Sequence, residues 1–317
     1  MYNKIIKRAA ITGATGMIGM ALISLLLEEN IEILALVRKD SAKINNLPED
    51  KKLNIIELDF LEEDSIDREK INEDLKCDVF FHLGWAATIG NGRNDIDLQM
   101  KNIKGTINAV KIAKSLGCHT FLGSGSQAEY GIATEKLSAK TNTNPITGYG
   151  AAKLSAGIMS RTYAKSLEMK HIWCRILSIY GPYDNEQTMM MSAIKAFVNN
   201  EEIKFTKGEQ IWDYLYVKDC ARAIFLSAKK GIDGKIYLVG SGKTRKLKEY
   251  IEKIHLISDT KVQSGIGLRP YPNNQVMYLQ ADIEELSKDT GFVPEVEFEA
   301  GIKQTIDWYK SNNNIKD

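Results

Sequence analysis

The 317-residue chain has only four cysteines, Cys77, Cys118, Cys174 and Cys220, far apart and each beside apolar residues. That scatter excludes a disulfide framework or a paired metal-ligand spacing and fits free thiols in a reducing cytoplasm. Four histidines, His82, His119, His171 and His255, show no ligand spacing either, so no metal is expected. Neither sign of charge dominates: 42 basic residues face 41 acidic ones, a formal net charge of +1, and nucleic acid and anionic membranes are not expected partners. No apolar run approaches the length of about 18 residues that a membrane span needs. The start, MYNKIIKRAAITGATG, is basic, but glycines cut its apolar stretch short, which reads as a first strand rather than a signal peptide. Repeats, low-complexity tracts and Gly/Ser linkers are lacking, so any two lobes share a packed boundary.

What the chain has is alternation. AAITG, IEILALV, NIIELDF, DVFFHLG, HTFLGSG and HIWCRILSIYG are short apolar runs, and helical spacing follows 17–30, about 95–116 and about 149–168. This order predicts an α/β fold: a doubly wound parallel Rossmann sheet, with the loops after the strands along one edge. Past Pro182 the pattern loosens into a helix near 188–200, strand-like IKF, the segment QIWDYLYVKDCARAIFLSA, strand KIYLVG and shorter elements. The expected division is a dinucleotide-binding part at 1–180 plus about 205–240, and a smaller substrate lobe at 181–204 and 241–317. A cleft between them is the expected substrate site.

Ile11-Thr12-Gly13-Ala14-Thr15-Gly16-Met17-Ile18-Gly19 joins the first strand to the first helix. Glycines there let backbone approach a pyrophosphate, and the helix N-terminus supplies oriented N–H groups. Gly13, Thr15, Gly16, Met17, Ile18 and Gly19 are therefore expected cofactor contacts. The position that would carry a ribose-binding carboxylate, about 18 residues past the last glycine, is Val37, followed by Arg38 and Lys39. An Arg at that point suits a 2′-phosphate, so NADP is expected ahead of NAD. Asp59 and Phe60, after the third strand, are placed to meet adenine.

FLGSGSQAEYG ends an apolar run on Ser126, and TGYGAAK opens a helix with Tyr149 and Lys153 four residues apart, on one face. A free tyrosine near pKa 10 is a poor acid–base catalyst, and nearby positive charge would draw its pKa toward neutrality.

TGATGMIG, LDF, HLG, NIKGT, the serine strand, YGAAK, YGP and WDYLYVKDCARAI together resemble the extended short-chain dehydrogenase/reductases that act on nucleotide-activated sugars, over nearly the whole chain. The resemblance implies catalytic Ser126, Tyr149 and Lys153, the last also on the nicotinamide ribose, with Leu83, Gly84 and Asn102 at the cofactor. It implies a nucleotide-diphosphate sugar as substrate, contacted by Ser126, Gln127, Ser178, Trp212 and Arg269, and a homodimer through the helices near 95–116 and 149–168. Gln127 and Ala128 stand where the family's 4,6-dehydratases carry Asp-Glu, which disfavours dehydration. Ala128 and Tyr183 stand where its epimerase-reductases carry Cys and His. Trp212 replaces a phosphate-clamping Arg, and Ser178 an Asn. The remaining chemistry is NADPH-dependent reduction of a 4-keto sugar, favoured by Arg38-Lys39, or 4-epimerisation with tightly bound NAD. A dinucleotide sensor without turnover is a third reading, disfavoured by the intact Ser126, Tyr149 and Lys153.

Overall fold

The computed structural model describes residues 5–38, 41–62, 75–272, 275–313 and 315. The strands are β1 (Arg8–Thr12), β2 (Glu32–Val37), β3 (Leu53–Glu57), β4 (Val79–His82), β5 (Thr120–Ser126), β6 (Lys170–Ile176), β7 (Ser178–Tyr180), β8 (Ile211–Trp212), β9 (Tyr214–Tyr216), β10 (Ile236–Val239), β11 (Arg245–Lys246) and β12 (Tyr278–Leu279). The helices are α1 (Met17–Glu28), α2 (Ile96–Ser115), α3 (Gly148–Ser166), α4 (Met189–Val198), α5 (Val217–Lys230), α6 (Leu247–Ile257), α7 (Glu284–Thr290) and α8 (Phe298–Asn312).

Seven strands form one parallel sheet in the order β10-β6-β5-β4-β1-β2-β3. Alternate side chains leave a strand on opposite faces, and the sequence supplies apolar residues for both. Ile11, Ile33 and Phe81 enter a core shared with α1 and α5, while Ala10, Leu34 and Phe80 enter the one under α2. A single-residue slip of register would exchange the two cores. The strand order reverses between β1 and β4, where Thr12 pairs with His82, so the loops after these strands diverge and open a crevice.

Helices α4, α6 and α8 gather around a third core that includes Met190, Phe197, Tyr250, Ile254 and Ile302. A three-stranded sheet runs β11-β8-β12. Buried Asp213, between β8 and β9, accepts hydrogen bonds from Ser241 N (2.8 Å), Ser241 Oγ (2.6 Å), Gly242 N (3.0 Å) and Ala281 N (3.1 Å). One carboxylate thereby ties three distant segments together, with every donor of the cluster satisfied.

Two details differ from the sequence reading. HIWCRILSIYG is two strands: Leu177 N bonds Val239 O at 2.9 Å as the main sheet ends, and β7 crosses to pair with β9 instead. IKF forms no regular strand. Phe205 and Thr206 bond the backbone of 265–269, but Gly265 (φ 68°) and Gly267 (φ 85°) turn that segment away from a ladder.

Trp173 on β6 is a wedge between sheet and helix. A Cβ at Gly123 on β5 would lie 2.2 Å from its ring, and one at Gly157 on α3 would lie 2.7 Å from it. Ala at 157 should gain about 1 kcal/mol of helix propensity, but overpacking costs about 1–3 kcal/mol and wins. Urea unfolding should therefore find Gly157→Ala less stable than the parent, and the same change neutral or stabilising when Trp173 is Leu.

Candidate active site

The turn from β1 to α1 borders a cavity of about 580 Å³ whose lining includes Gly13, Thr15, Gly16, Arg38, Phe60, Leu83 and Gly84. Gly13 has φ 71°, and a Cβ there would sit 2.7 Å from Gly84 N, so two strand-end loops meet without side chains between them. Gly16 begins α1 with no side-chain cap and no acidic residue in the first turn. The helix's first N–H groups are thus left without a side-chain acceptor, the arrangement an anionic diphosphate requires. Size, shape and donors all fit a dinucleotide.

Not every expected residue lines this cavity. Met17 faces a different groove, beside Tyr183 and Trp308. Ile18 packs against the main core, and buried Gly19 closes the turn, since its Cβ would lie 2.2 Å from Gly13 O. Asp59 Oδ1 accepts from Leu61 N at 3.0 Å, capping its own turn. Asn102 Oδ1 accepts from Ala86 N (2.9 Å) and its Nδ2 donates to Ala86 O (3.0 Å). That amide holds the 85–88 segment in place. Arg38 is exposed at the end of β2, and Lys39 lies outside the described residues.

Ser126, Tyr149 and Lys153 come together, 8 %, 8 % and 3 % exposed. Ser126 ends β5, and its Oγ accepts from Ala128 N at 3.1 Å in a capping box completed by Glu129. Thr147 Oγ1 caps α3 through Gly150 N at 3.1 Å, which sets Tyr149 and Lys153 on the helix's first turns. Burial pushes the Tyr149 phenol above its ordinary range; a hydrogen bond with Ser126 and the charge of Arg93 pull it back, and Glu129 adds to the rise. Lys153 Nζ does not bond the phenol. It donates to Ser124 O (2.6 Å), lies 3.3 Å from Ser124 Oγ and sits 3.9 Å from the Trp85 ring centroid. Burial lowers its pKa to about 7, against the upward pull of Glu129.

Several neighbours escaped the sequence reading. Arg93 stacks over the Tyr149 ring at 4.4 Å, and Trp85 meets it edge-on at 6.1 Å. Glu129, fully buried, accepts from Ser126 N (2.8 Å), Trp173 Nε1 (3.0 Å) and Arg175 Nε (2.6 Å). The only signal for it was an acidic residue following GSQA; Arg93 lies in GNGRN, which has no periodicity to read. His82 bridges Thr12 Oγ1 (2.9 Å) and Thr106 Oγ1 (3.1 Å), and burial, helped by Lys153, lowers its pKa to about 3. It is a neutral strut.

Of the expected substrate contacts, Gln127 is half-buried in the turn after Ser126. Ser178 and Trp212 engage each other, Trp212 Nε1 donating to Ser178 Oγ at 2.8 Å. The Arg269 side chain is exposed. A hydroxyl, a phenol and an ammonium beside such a cavity are groups with which an alcohol and a ketone can be interconverted.

Residues 9–240 match the model of the NAD dependent epimerase/dehydratase family. The chain is 25% identical over 321 residues to UDP-glucuronate 4-epimerase of Thermodesulfobacterium geofontis, covering 95% of this chain and 96% of that one. In structure it is similar to UDP-glucose 4-epimerase of Thermotoga maritima (TM-score 0.87, 22% identity, 96% and 99% of the chains). It is also similar to UDP-N-acetylglucosamine 4-epimerase of Methanobrevibacter ruminantium (TM-score 0.86, 25% identity, 96% and 99%).

Removing one partner of a buried ion pair costs about 3–5 kcal/mol, whereas replacing both by apolar groups is often neutral. Glu129→Gln, which strands the 4 %-exposed Arg175, should lower stability by about that amount, and Glu129→Leu with Arg175→Met should restore most of it. Denaturant midpoints check both.

Proposed function

The chain belongs to the NAD-dependent epimerase/dehydratase family, and we propose that it is a 4-epimerase of a nucleotide-diphosphate sugar. The observation that carries this reading is the meeting of Ser126, Tyr149 and Lys153 without an acidic residue at 127 or 128. Epimerisation through a transient ketone asks for one proton-transfer group and one oxygen-polarising donor, and no further base. The sequence reading put NADPH-dependent reduction first, on the strength of Arg38-Lys39. The epimerases among the relatives favour the order reversed.

Tyr149 takes the proton of the sugar hydroxyl and returns it, and the Ser126 hydroxyl holds the same oxygen as charge develops on it. The nicotinamide, when bound, supplies reversible two-electron oxidation at the sugar carbon. Gly13, Thr15 and Gly16 would hold its diphosphate; Lys153 would reach its ribose by leaving Ser124; Arg38 would meet the adenosine end. Configuration is set by the face of the carbonyl carbon that is reduced and not by the proton that Tyr149 returns to the oxygen, so inversion requires the ketone to turn over in the site between oxidation and reduction. Affinity must then reside in the nucleotide end, for which Arg269 is an exposed cation.

Residues 1–180 with about 205–240 are taken as the dinucleotide part, and 181–204 with 241–317 as the substrate part. Within the latter, Leu286 of α7 packs into the main-sheet core. A homodimer is proposed through α2 and α3, which expose Ile96 (61 %), Met100 (59 %), Ile158 (49 %) and Met159 (50 %). Light scattering should give twice the chain mass, and Met100→Lys with Ile158→Lys should halve it.

Purified protein incubated with UDP-hexoses and UDP-hexuronates should interconvert C4 epimers with no net change in cofactor absorbance. Tyr149→Phe should reduce turnover by about 10²-fold or more. Stoichiometric consumption of NADPH with a 4-keto sugar would restore the reductase reading, and binding without turnover would support a sensor. The mass of the dinucleotide released on denaturation distinguishes NAD from NADP.

A further inference from the structure

A phenol as buried as Tyr149 yields its proton only if positive charge stands near the phenolate. Lys153, on the phenol's own helix, is the cation that the spacing suggests. Its Nζ is committed to Ser124 O at 2.6 Å and lies 5.9 Å from the Tyr149 ring centroid. The nearer cation comes from another part of the chain. Arg93, in the short 3-10 turn Asn91–Asn94, places its guanidinium carbon 4.4 Å from the centroid of the Tyr149 ring.

Three contacts keep it there. Arg93 Nη1 donates to Thr88 O at 2.7 Å, which fixes the arm of the side chain. Asn94 Oδ1 accepts from Gly148 N at 3.0 Å, binding the turn to the first residue of α3. A Cβ at 148 would lie 3.1 Å from Arg93 O, so glycine there lets turn and helix close on each other. Cation and phenol therefore belong to one packed unit.

We propose that Arg93 is the positioning residue that holds Tyr149 ready to give up its proton, by standing as a fixed positive charge on the face of its ring. Ionisation spreads negative charge from the phenolate oxygen into the ring, so a cation over the face attracts the deprotonated form more than the neutral one. A guanidinium stays charged at every working pH, whereas an ammonium buried as deeply as Lys153 titrates within that range. The other groups facing the phenol are Ser126, which hydrogen-bonds it, Glu129, whose charge opposes ionisation, and the edge of Trp85. Arg93 offsets Glu129, and Lys153 is released to serve the cofactor. This inference rests on the reading of Tyr149 as the proton-transfer group.

The test is the pH dependence of kcat/KM for the parent, Arg93→Gln, Arg93→Met and Arg93→Lys, with Tyr149→Phe alongside. Gln keeps a donor for Thr88 O without charge, Met removes both, and Lys restores charge without the planar fork. Loss of the cation raises the pKa of the phenol, so the acidic limb should move to higher pH by about one unit in Arg93→Gln and Arg93→Met. Their rates should approach the parent's above the shifted limb. Arg93→Lys should keep most of the original limb. Melting temperatures and dinucleotide affinity establish that each variant is folded and loaded. An unmoved limb, or a loss of equal size at every pH, overturns the proposal while leaving the epimerase reading intact. Undiminished turnover by Tyr149→Phe overturns the reading on which it rests.

Discussion

The burial of the Tyr149 phenol, which the proposed reaction requires to ionise, is the constraint around which this site is arranged. Tyr149 loses its solvation to the protein, and the penalty falls on the charged form alone. Every polar neighbour can be understood by its effect on that balance. Ser126 supplies a hydrogen bond, Arg93 a stacked charge, and Lys153 a cation whose own burial lowers its pKa to about 7. Glu129 works the other way on Tyr149 but steadies Lys153 and anchors the backbone of Ser126. The site is a compromise in which one carboxylate secures geometry at some electrostatic cost to the phenol, and Arg93 offsets that cost.

The parallel sheet makes such a compromise feasible. β4 and β5 deliver Trp85 and Ser126 from adjacent strand ends, and α3 returns across the same edge with Tyr149 and Lys153. The neighbouring β1–α1 turn borders the crevice, and Trp85, which lines that cavity, also meets the Tyr149 ring. Past β6 the chain leaves the main sheet, and β7 pairs with β9 as a separate two-stranded sheet.

Much of this was legible beforehand because periodicity and glycine placement are local properties. The main-sheet strands, the first three helices, the glycine turn and the Tyr149–Lys153 pair each show in one continuous stretch of chain, and Ser126 shows as the end of an apolar run. What stayed hidden depends on residues distant in sequence. The Glu129–Arg175 pair joins the turn after β5 to β6, Arg93 meets Tyr149 across 56 positions (149 minus 93), and Trp212 finds Ser178 only after the chain has changed sheets. Asn102 shows a different limit: its motif marks a position, and only the fold reveals that its amide holds the backbone of Ala86. Arg38-Lys39 is too slight a feature to rank reduction against epimerisation, two reactions that would draw on the same side chains.

The indole of Trp173 has a consequence beyond packing. It fills notches left by Gly123 and Gly157 and also donates to Glu129, so it touches the strand bearing the serine, the helix bearing the tyrosine, and the carboxylate behind both. Sliding α3 along the sheet by even one residue would drive a side chain into that ring. The spacing of Ser126, Tyr149 and Lys153 is thus gauged by an aromatic block set on the adjacent strand, and evolution could retune the reach of the phenol by recutting the block while all three residues stayed the same.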